Sequence, residues 1–185
     1  DMAIILDVVY NHCGPTDLDL WRFDGWYTAD HDGGIYFYDN ERARTPWGST
    51  RPDFGRGEVR QFFRDNALFW LNKYRLDGLR FDSVGNIRNR NGNDNDRAGD
   101  IPDGWSFLQW VNDEIRARQP WKITIAEDLQ NNEWITKDTG AGGAGFGAQW
   151  DAGFVHPVRR AILATHDADR DMGSVHGALY HFYNG

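Results

Sequence analysis

Hydrophobic residues along the chain form two alternating patterns, short apolar runs and longer stretches at helical spacing. A short run rich in branched residues is typical of a strand buried in a parallel sheet. Such runs cover residues 3–10, 78–82, 121–126 and 146–150. Apolar residues that recur every three to four positions predict helices over 57–74, 105–118 and 155–164. Because strands and helices alternate, the sequence predicts an α/β fold with a parallel sheet.

Both a doubly wound sheet and a closed barrel satisfy this alternation. The P-loop pattern G-x-x-x-x-G-K-S/T is absent from the chain. We also expect no other glycine loop of the kind that cradles a nucleotide. This expectation favours the barrel.

Three acidic residues stand where the apolar runs end. Asp7 lies within the first run, Asp82 ends the second and Glu127 directly follows the third. In a parallel barrel, the carboxyl ends of the strands converge on one site. Two carboxylates on either side of a bond can cleave a glycoside, because one attacks the sugar carbon while the other protonates the leaving oxygen. The alternative is that these acids only cap the helices that follow them.

Two neighbouring residues favour the catalytic interpretation. Arg80 precedes Asp82 by two positions on the same predicted strand, so both side chains point to the same face. A guanidinium there would hold Asp82 ionised and oriented, which a nucleophile needs and a helix cap does not. His12 follows the first strand and is expected at the same end of the sheet. The alternative for His12 is a turn histidine bonded to the backbone.

Three motifs resemble signature regions of one enzyme family, in their order and spacing. They are D-V-V-Y-N-H at 7–12, G-L-R-F-D at 78–82 and I-A-E-D at 125–128. Together they resemble the first three signature regions of the α-amylase superfamily, glycoside hydrolase family thirteen. The resemblance implies a (β/α)8 TIM barrel, which needs ~250 residues. We therefore expect residues 1–185 to be a fragment of the catalytic barrel, from about its third strand to its sixth helix.

The resemblance also implies roles for individual residues. It identifies Asp82 as the nucleophile and Glu127 as the general acid/base of a retaining double displacement on α-glucosidic bonds. The remaining roles concern positioning, substrate binding and metal binding: Arg80 positions Asp82, His12 binds the sugar in the cleavage subsite, Asp7 anchors the site, and Asn11 matches a position that binds calcium in many amylases. We also expect Tyr10 and Trp47 to bind or position the substrate.

Residues 13–55 show no regular periodicity and hold many aromatic residues among Gly, Asp and Pro. Members of the superfamily carry an irregular inserted domain after the third strand, and 13–55 occupy that position. Aromatic faces suit sugars, because a ring covers the C–H face of the sugar while its hydroxyls keep their hydrogen bonds. Trp47 is the expected wall of the cleft. The alternative is that most of these aromatic residues pack the core of the insertion itself.

The superfamily places a third acid, an Asp preceded by His, at the end of the seventh barrel strand. His166 and Asp167 form such a pair, but they follow a predicted helix and run into a polar loop. We therefore expect the third acid beyond residue 185.

Sequence details favour one subtype of the superfamily. After Asp82 the chain lacks the Lys-His that true α-amylases often carry, and Y-N-H-x-G-P, T-P-W-G and A-E-D look more like branching and trehalose-releasing enzymes. We expect a branching-type transglycosylase that acts on α-1,4-glucans. Hydrolysis of the amylase or trehalose-releasing type is the alternative, and a carbohydrate-binding barrel without catalysis is an alternative from a different class.

Composition argues against several kinds of partner. With 20 Lys+Arg against 28 Asp+Glu, the net charge of −8 argues against nucleic acid. No apolar run approaches the ~20 residues of a membrane span, and no signal-peptide pattern is seen, so we expect no membrane partner and a cytoplasmic location. The expected chemistry requires no cofactor. Residues 91–96 resemble a calcium loop in composition only, and an ordinary solvated loop is the alternative.

Overall fold

The computed structural model describes residues 2–14, 18, 22, 24–27 and 33–180. Within these residues, four parallel strands form one sheet in the order β1-β2-β3-β4. The strands are β1 Ile5–Val8, β2 Gly78–Phe81, β3 Ile123–Ala126 and β4 Ala148–Gln149. Each strand pairs with the next one along the chain, and the first two crossovers carry α-helices. The predicted α/β fold with a parallel sheet is confirmed.

The part of the chain that the structure describes holds five α-helices: α1 Gly57–Lys73, α2 Gly85–Arg88, α3 Pro102–Arg118, α4 Ala152–Leu163 and α5 Met172–Leu179. Helix α1 agrees with the prediction to within one residue. Helix α3 begins three residues early, because Pro102 suits a first helical position where its missing N–H is no loss. The apolar pattern predicts neither α2, which has only four residues, nor α5, which Gly173 and Gly177 interrupt.

One hydrophobic core joins one face of the sheet to α1 and α3. The four residues of α3 predicted to point inward, Phe107, Leu108, Val111 and Ile115, are all buried. Phe54, from the end of the irregular segment, stacks on Phe107 with 4.2 Å between ring centroids and 15° between ring planes. The segment therefore contributes to the main core as well as to a small cluster, in which Tyr38 and Ala43 pack with Ile101, the residue before α3.

The opposite face of the sheet is only partly covered by the described residues. Strand register places Asp7 opposite Arg80 and Arg80 opposite Ile125, so the three form a row on this face. Ile5 and Ile123, also on this face, are each 39% exposed. Parallel sheets are normally covered on both faces. Because this face is apolar as well as charged, it is a surface that needs a covering layer.

Arg51 ties the irregular segment to the chain that follows β2. Its side chain is fully buried and its guanidinium donates to the carbonyl oxygens of Arg44, Asn86, Asn89 and Arg90. Burial lowers the pKa of Arg51 to about 10, so the group still carries its charge at neutral pH. Of the predicted insertion over 13–55, residues 15–17, 19–21, 23 and 28–32 lie outside the described residues.

One glycine-rich stretch corrects the expectation that no nucleotide-type glycine loop is present. Residues 140–145 read G-A-G-G-A-G and satisfy G-x-G-x-x-G. A dinucleotide-binding loop joins a strand to a helix, whereas this stretch begins in a 3-10 turn, Thr139–Ala141, and precedes the short strand β4. The stretch therefore matches the motif in sequence but not in structural context.

We predict that Gly104→Ala in α3 destabilises the protein. A Cβ at this position would lie 1.9 Å from the carbonyl oxygen of Ile87. The clash is expected to cost about 1–3 kcal/mol, although alanine normally favours a helix over glycine by ~1 kcal/mol. Gly57→Ala in α1 is the matched control, because its added Cβ meets no atom within 4 Å. Urea unfolding of the intact protein measures both changes, and an unchanged midpoint for Gly104→Ala would contradict the packing described here.

Candidate functional site

The guanidinium of Arg80 joins the carboxyl ends of three strands. Its Nη1 donates to both oxygens of Asp7 at 2.7 and 2.8 Å and to Oδ1 of Asp82 at 2.8 Å. Its Nη2 lies 2.9 Å from Oε2 of Glu127. The sequence predicts the pairing of Arg80 with Asp82. The contacts with Asp7 and Glu127 follow from the parallel register, which sets these strand ends side by side.

Arg80 is held in its charged form. Burial alone would lower its pKa, but hydrogen bonds to Asp7 and Asp82 and the charge of Glu127 outweigh burial, so the pKa of Arg80 is raised. The side chain is 12% exposed. The indole ring of Trp150 lies over it, with 4.4 Å between the ring centroid and Cζ, in a cation–π contact. This contact gives Trp150 a place in the site, which the sequence does not predict.

Asp82 is fixed by a second residue, Asn11. The Asn11 amide donates to the carboxylate Oδ2 of Asp82 at 2.9 Å and to the backbone oxygen of Asp82 at 2.8 Å. Asn11 is fully buried, and its Oδ1 lies 2.5 Å from Nδ1 of His12. Because that oxygen, the only one in the side chain, faces His12, the geometry favours a positioning role for Asn11 over the predicted role in calcium binding.

Glu127 is oriented by the turn that follows β2. The N–H of Ser83 donates to Oε2 of Glu127 at 2.8 Å, and Ser83 has a φ of 42°. A non-glycine residue in this left-handed region is strained, and such strain often occurs at functional sites. Ser83 was not among the predicted site residues. The only sequence signal that points to Ser83 is its position directly after Asp82, an acidic residue at the end of a strand.

His12 and Trp47 form one wall beside Asp82. Their rings stack with 4.8 Å between centroids and 15° between planes. Since Asn11 Oδ1 can only accept, the hydrogen bond assigns the ring proton of neutral His12 to Nδ1. Burial lowers the pKa of His12, and the charge of Asp82 offsets part of that effect. Burial therefore favours the neutral form of His12.

A cleft of about 290 Å³ opens at this point. It is lined by Trp47, Asp82, Ser83, Gly85, Asn86, Gly92, Glu127, Asp128, Leu129 and Gln130. The structure thus brings Trp47, Asp82 and Glu127 together around one cavity, with Arg80 and His12 in contact with its lining. Such a small polar cavity with an aromatic wall can hold a sugar-sized polar ligand.

Two other predicted site residues, Tyr10 and Asp7, do not line the cleft. Tyr10 is buried in the core, where its hydroxyl donates to Asn66 at 2.7 Å and its ring packs edge-on against Phe63 and Phe81. We therefore do not keep Tyr10 in the candidate site. Asp7 has a side chain that is 62% exposed and reaches the site only through Arg80.

The described residues give little support for a metal site. No group of three or more His, Cys, Asp or Glu side chains there is close enough together to hold an ion. In the loop over 91–96, the amide of Asn91 donates to Asp96 at 2.7 Å and the backbone of Asn95 to Asn93 at 3.0 Å, so its polar groups bind one another. Among the described helices, none has both the length and the apolar character needed to cross a bilayer.

Curated relatives cover most of the chain. A 1,4-alpha-glucan branching enzyme of Pseudoalteromonas atlantica is 36% identical over 84% of this chain and 22% of its own length. A 1,4-alpha-glucan branching enzyme of Kitasatospora aureofaciens is 34% identical over 98% of this chain and 25% of its own length. The chain therefore spans about a quarter or less of the curated relatives that it matches. No protein-family model matches it.

Solved structures share the fold. An α-amylase of Geobacillus thermoleovorans in complex with acarbose superposes with a TM-score of 0.63 and 20% identity, over 100% of this chain and 38% of the other. A noncanonic maltogenic α-amylase of Thermotoga neapolitana gives a TM-score of 0.59 and 16% identity, over 96% and 34%. At these identities the likeness is one of fold.

We predict that the pKa of His12 lies below about 6.5, the ordinary value for histidine, and falls further in Asp82→Asn. Burial lowers it, and removing the charge of Asp82 removes the group that opposes burial. Since the folded value is below the unfolded one, stability is present above the unfolded pKa and is lost as pH falls through the folded pKa. Histidine NMR titration of the intact protein measures the midpoint. Glu58→Gln, at an exposed position in α1, is the control, and an equal shift in both variants would refute the assignment.

Proposed function

We propose a function from the premise that the chain belongs to the α-amylase superfamily, which its curated relatives and its fold both support. The proposal is that it forms part of a retaining α-1,4-glucan-acting enzyme of the branching type. The observation that carries it is the pair of carboxylates, Asp82 and Glu127, held by one guanidinium at an aromatic-walled cleft.

We propose further that the described sheet is part of a (β/α)8 barrel, from about its third strand, β1, to its sixth helix. The partly covered sheet face supports this, because closure into a barrel would cover Ile5 and Ile123. Residues 13–55 would then be the insertion that follows the third barrel strand. The row of Asp7, Arg80 and Ile125 would point into the barrel.

In the first proposed step, a carboxylate oxygen of Asp82 attacks the anomeric carbon of an α-1,4-linked glucose. The bond from that carbon to the glycosidic oxygen breaks, and Glu127 gives its proton to the leaving oxygen. The two polar contacts described for the Glu127 side chain are both made to Oε2, so Oε1 is the atom proposed to carry the proton. The products are a glucosyl ester on Asp82 and a shortened glucan with a free hydroxyl.

In the second step, a new oxygen nucleophile attacks the same carbon and releases Asp82. Glu127, now ionised, takes the proton of the attacking hydroxyl, which restores both carboxyl groups. If the attacking group is a sugar 6-hydroxyl, the result is an α-1,6 branch, and if it is water, the result is hydrolysis. The names of the curated relatives favour branching.

The arrangement of charge supports a double displacement. Asp82 and Glu127 are bound to the two Nη atoms of one guanidinium, which is compatible with the ~5–5.5 Å separation of the two carboxyl groups in retaining enzymes. While Glu127 is protonated, the carboxylates of Asp7 and Asp82 still share a single cation, Arg80. The surplus of negative charge would stabilise the positive charge that develops on the sugar ring in the transition state.

The remaining site residues bind or position. Nε2 of neutral His12 would accept a sugar hydroxyl, and Trp47 would cover a C–H face of the ring. Asn11 and Asp7 would act through Asp82 and Arg80 respectively. The proposed substrate is an α-glucan. The absence of a nucleic-acid or membrane partner and a cytoplasmic location stay predictions.

We predict that Asp82→Asn lowers turnover of amylose by the intact protein roughly 10³-fold or more, because the attacking charge is lost. Glu127→Gln should do the same on amylose but much less on α-glucosyl fluoride, whose leaving group needs no proton. Asp65→Asn, an exposed carboxylate paired with Arg64 on α1, is the control and should keep its activity. Steady-state kinetics measures the turnover of all three variants, and full activity of Asp82→Asn would contradict the mechanism.

We predict that the intact protein, incubated with amylose, introduces new α-1,6 linkages. Proton NMR of the product quantifies them against α-1,4 linkages, and the Asp82→Asn variant supplies the blank. New reducing ends without branches would instead favour the hydrolytic alternative.

A further inference from the structure

The guanidinium of Arg80 makes two kinds of contact, charged ones with carboxyl groups and an uncharged one with an aromatic ring. Its Nη1 meets Asp7 and Asp82, and its Nη2 meets Glu127. Its third nitrogen, Nε, has no hydrogen-bond partner among the described residues. The ring of Trp150 lies 4.4 Å from Cζ, measured to the ring centroid. The indole is therefore a contact of this cation that no carboxyl group supplies.

Negative charge moves across Arg80 during the proposed reaction. Before the first step Asp82 is ionised and Glu127 is protonated, so the charged contacts of Arg80, with Asp7 and Asp82, both involve Nη1. After that step Asp82 is a neutral ester and Glu127 is a carboxylate beside Nη2. A hydrogen bond to a charged acceptor is roughly twice as strong as one to a neutral acceptor. The guanidinium is therefore drawn first toward one carboxyl group and then toward the other.

The contact with Trp150 stays the same throughout this cycle. An indole ring does not titrate near neutral pH, and cation–π attraction depends only on the charge of the cation and on its place over the ring. Arg80 keeps its charge, since its hydrogen bonds and the charge of Glu127 raise its pKa. Its side chain is 12% exposed, and such contacts are stronger where water is excluded.

The backbone holds Trp150 in its place over Arg80. Trp150 directly follows β4, and its N–H donates to the carbonyl oxygen of Ala126 at 2.9 Å. Strand β4 has only two residues, and so short a pairing sets its register weakly. The glycine-rich stretch before β4 is held as well, because side chains on one face of α3 donate to four successive carbonyl oxygens at 2.8–3.2 Å: Trp105 to Gly142, Gln109 to Gly143, Asn112 to Ala144 and Arg116 to Gly145.

We propose that Trp150 is a positioning residue, which holds the guanidinium of Arg80 in place between Asp82 and Glu127 while negative charge passes from one carboxyl group to the other. This inference rests on the proposed function. Without the ring, Arg80 would follow Asp82 and Asp7 while Glu127 is protonated. Nη2 would then be out of place when Glu127 gives its proton to the leaving oxygen and becomes a carboxylate.

Steady-state kinetics of Trp150→Leu in the intact protein, with amylose as substrate, tests the proposal. We expect kcat to fall about three- to tenfold while KM stays within about twofold, because the ring acts on proton transfer and not on substrate binding. Trp150→Phe, which keeps a weaker aromatic face, should lose about two- to threefold. Trp121→Leu is the matched control and should keep the parental kcat, because Trp121 is 72% exposed and precedes β3 at the opposite end of the sheet.

A second substrate separates positioning of Arg80 from a general disturbance of the site. The fluoride of α-glucosyl fluoride leaves without a proton, so its release in the first turnover does not require Glu127 as an acid. We expect Trp150→Leu to change this rate by less than about twofold. If Trp150 only supported the shape of the site, Asp82 would be displaced too, and both substrates would react more slowly by the same factor.

Equal losses on amylose and on first-turnover fluoride release would therefore overturn the proposal. A kcat for Trp150→Leu equal to that of Trp121→Leu would also overturn it, and the proposed function would stand provided that Asp82→Asn is inactive. Full activity of Asp82→Asn would remove the proposed function itself. Trp150 is 45% exposed, so its replacement leaves no closed cavity, and urea unfolding checks that each variant is folded. If Trp150→Leu does not fold, Trp150→Phe gives the same comparison of the two substrates.

Discussion

Three carboxylates converge on the guanidinium of Arg80, and the rest of the site depends on that contact. Asp7, Asp82 and Glu127 come from three different strand ends, and without the cation between them their charges would repel one another across a few ångströms. Hydrogen bonds and charge raise the pKa of Arg80 against the effect of burial. The same contact that makes the strand ends compatible with folding also orients Asp82 and Glu127, the two carboxylates that we propose as catalytic.

The backbone sets the positions of Asp82 and Glu127, and side-chain contacts set their orientations. Parallel pairing continues one residue past the strands, because the N–H of Asp82 donates to Val8 and the N–H of Glu127 donates to Phe81, at 2.9 and 3.0 Å. The left-handed turn at Ser83 then points the N–H of Ser83 toward the carboxyl group of Glu127. Strand register therefore fixes which residues meet, and the turn fixes how they face the cleft.

The buried pair of Arg88 and Asp128 links the cleft to its surroundings. Both side chains are almost fully withdrawn from water, with 2.8 Å between Nε and Oδ2. Burying two charges is costly unless their geometry is good and their other bonds are made. Asp128 also accepts from the backbone of Gln130 at 3.1 Å. The pair thus anchors the loop after Glu127, whose residues 128–130 line the cleft.

The sequence by itself determined the α/β alternation, the parallel sheet and the coincidence of Asp82 and Glu127 with strand ends, because these depend on local periodicity. Short motifs and the family resemblance placed Tyr10 among the site residues and gave Asn11 a metal-binding role. Only the tertiary structure decided that Tyr10 packs in the core, that Asn11 holds Asp82 and that Ser83 and Trp150 join the site. Those contacts join residues tens of positions apart, and no local pattern records which of them the register brings together.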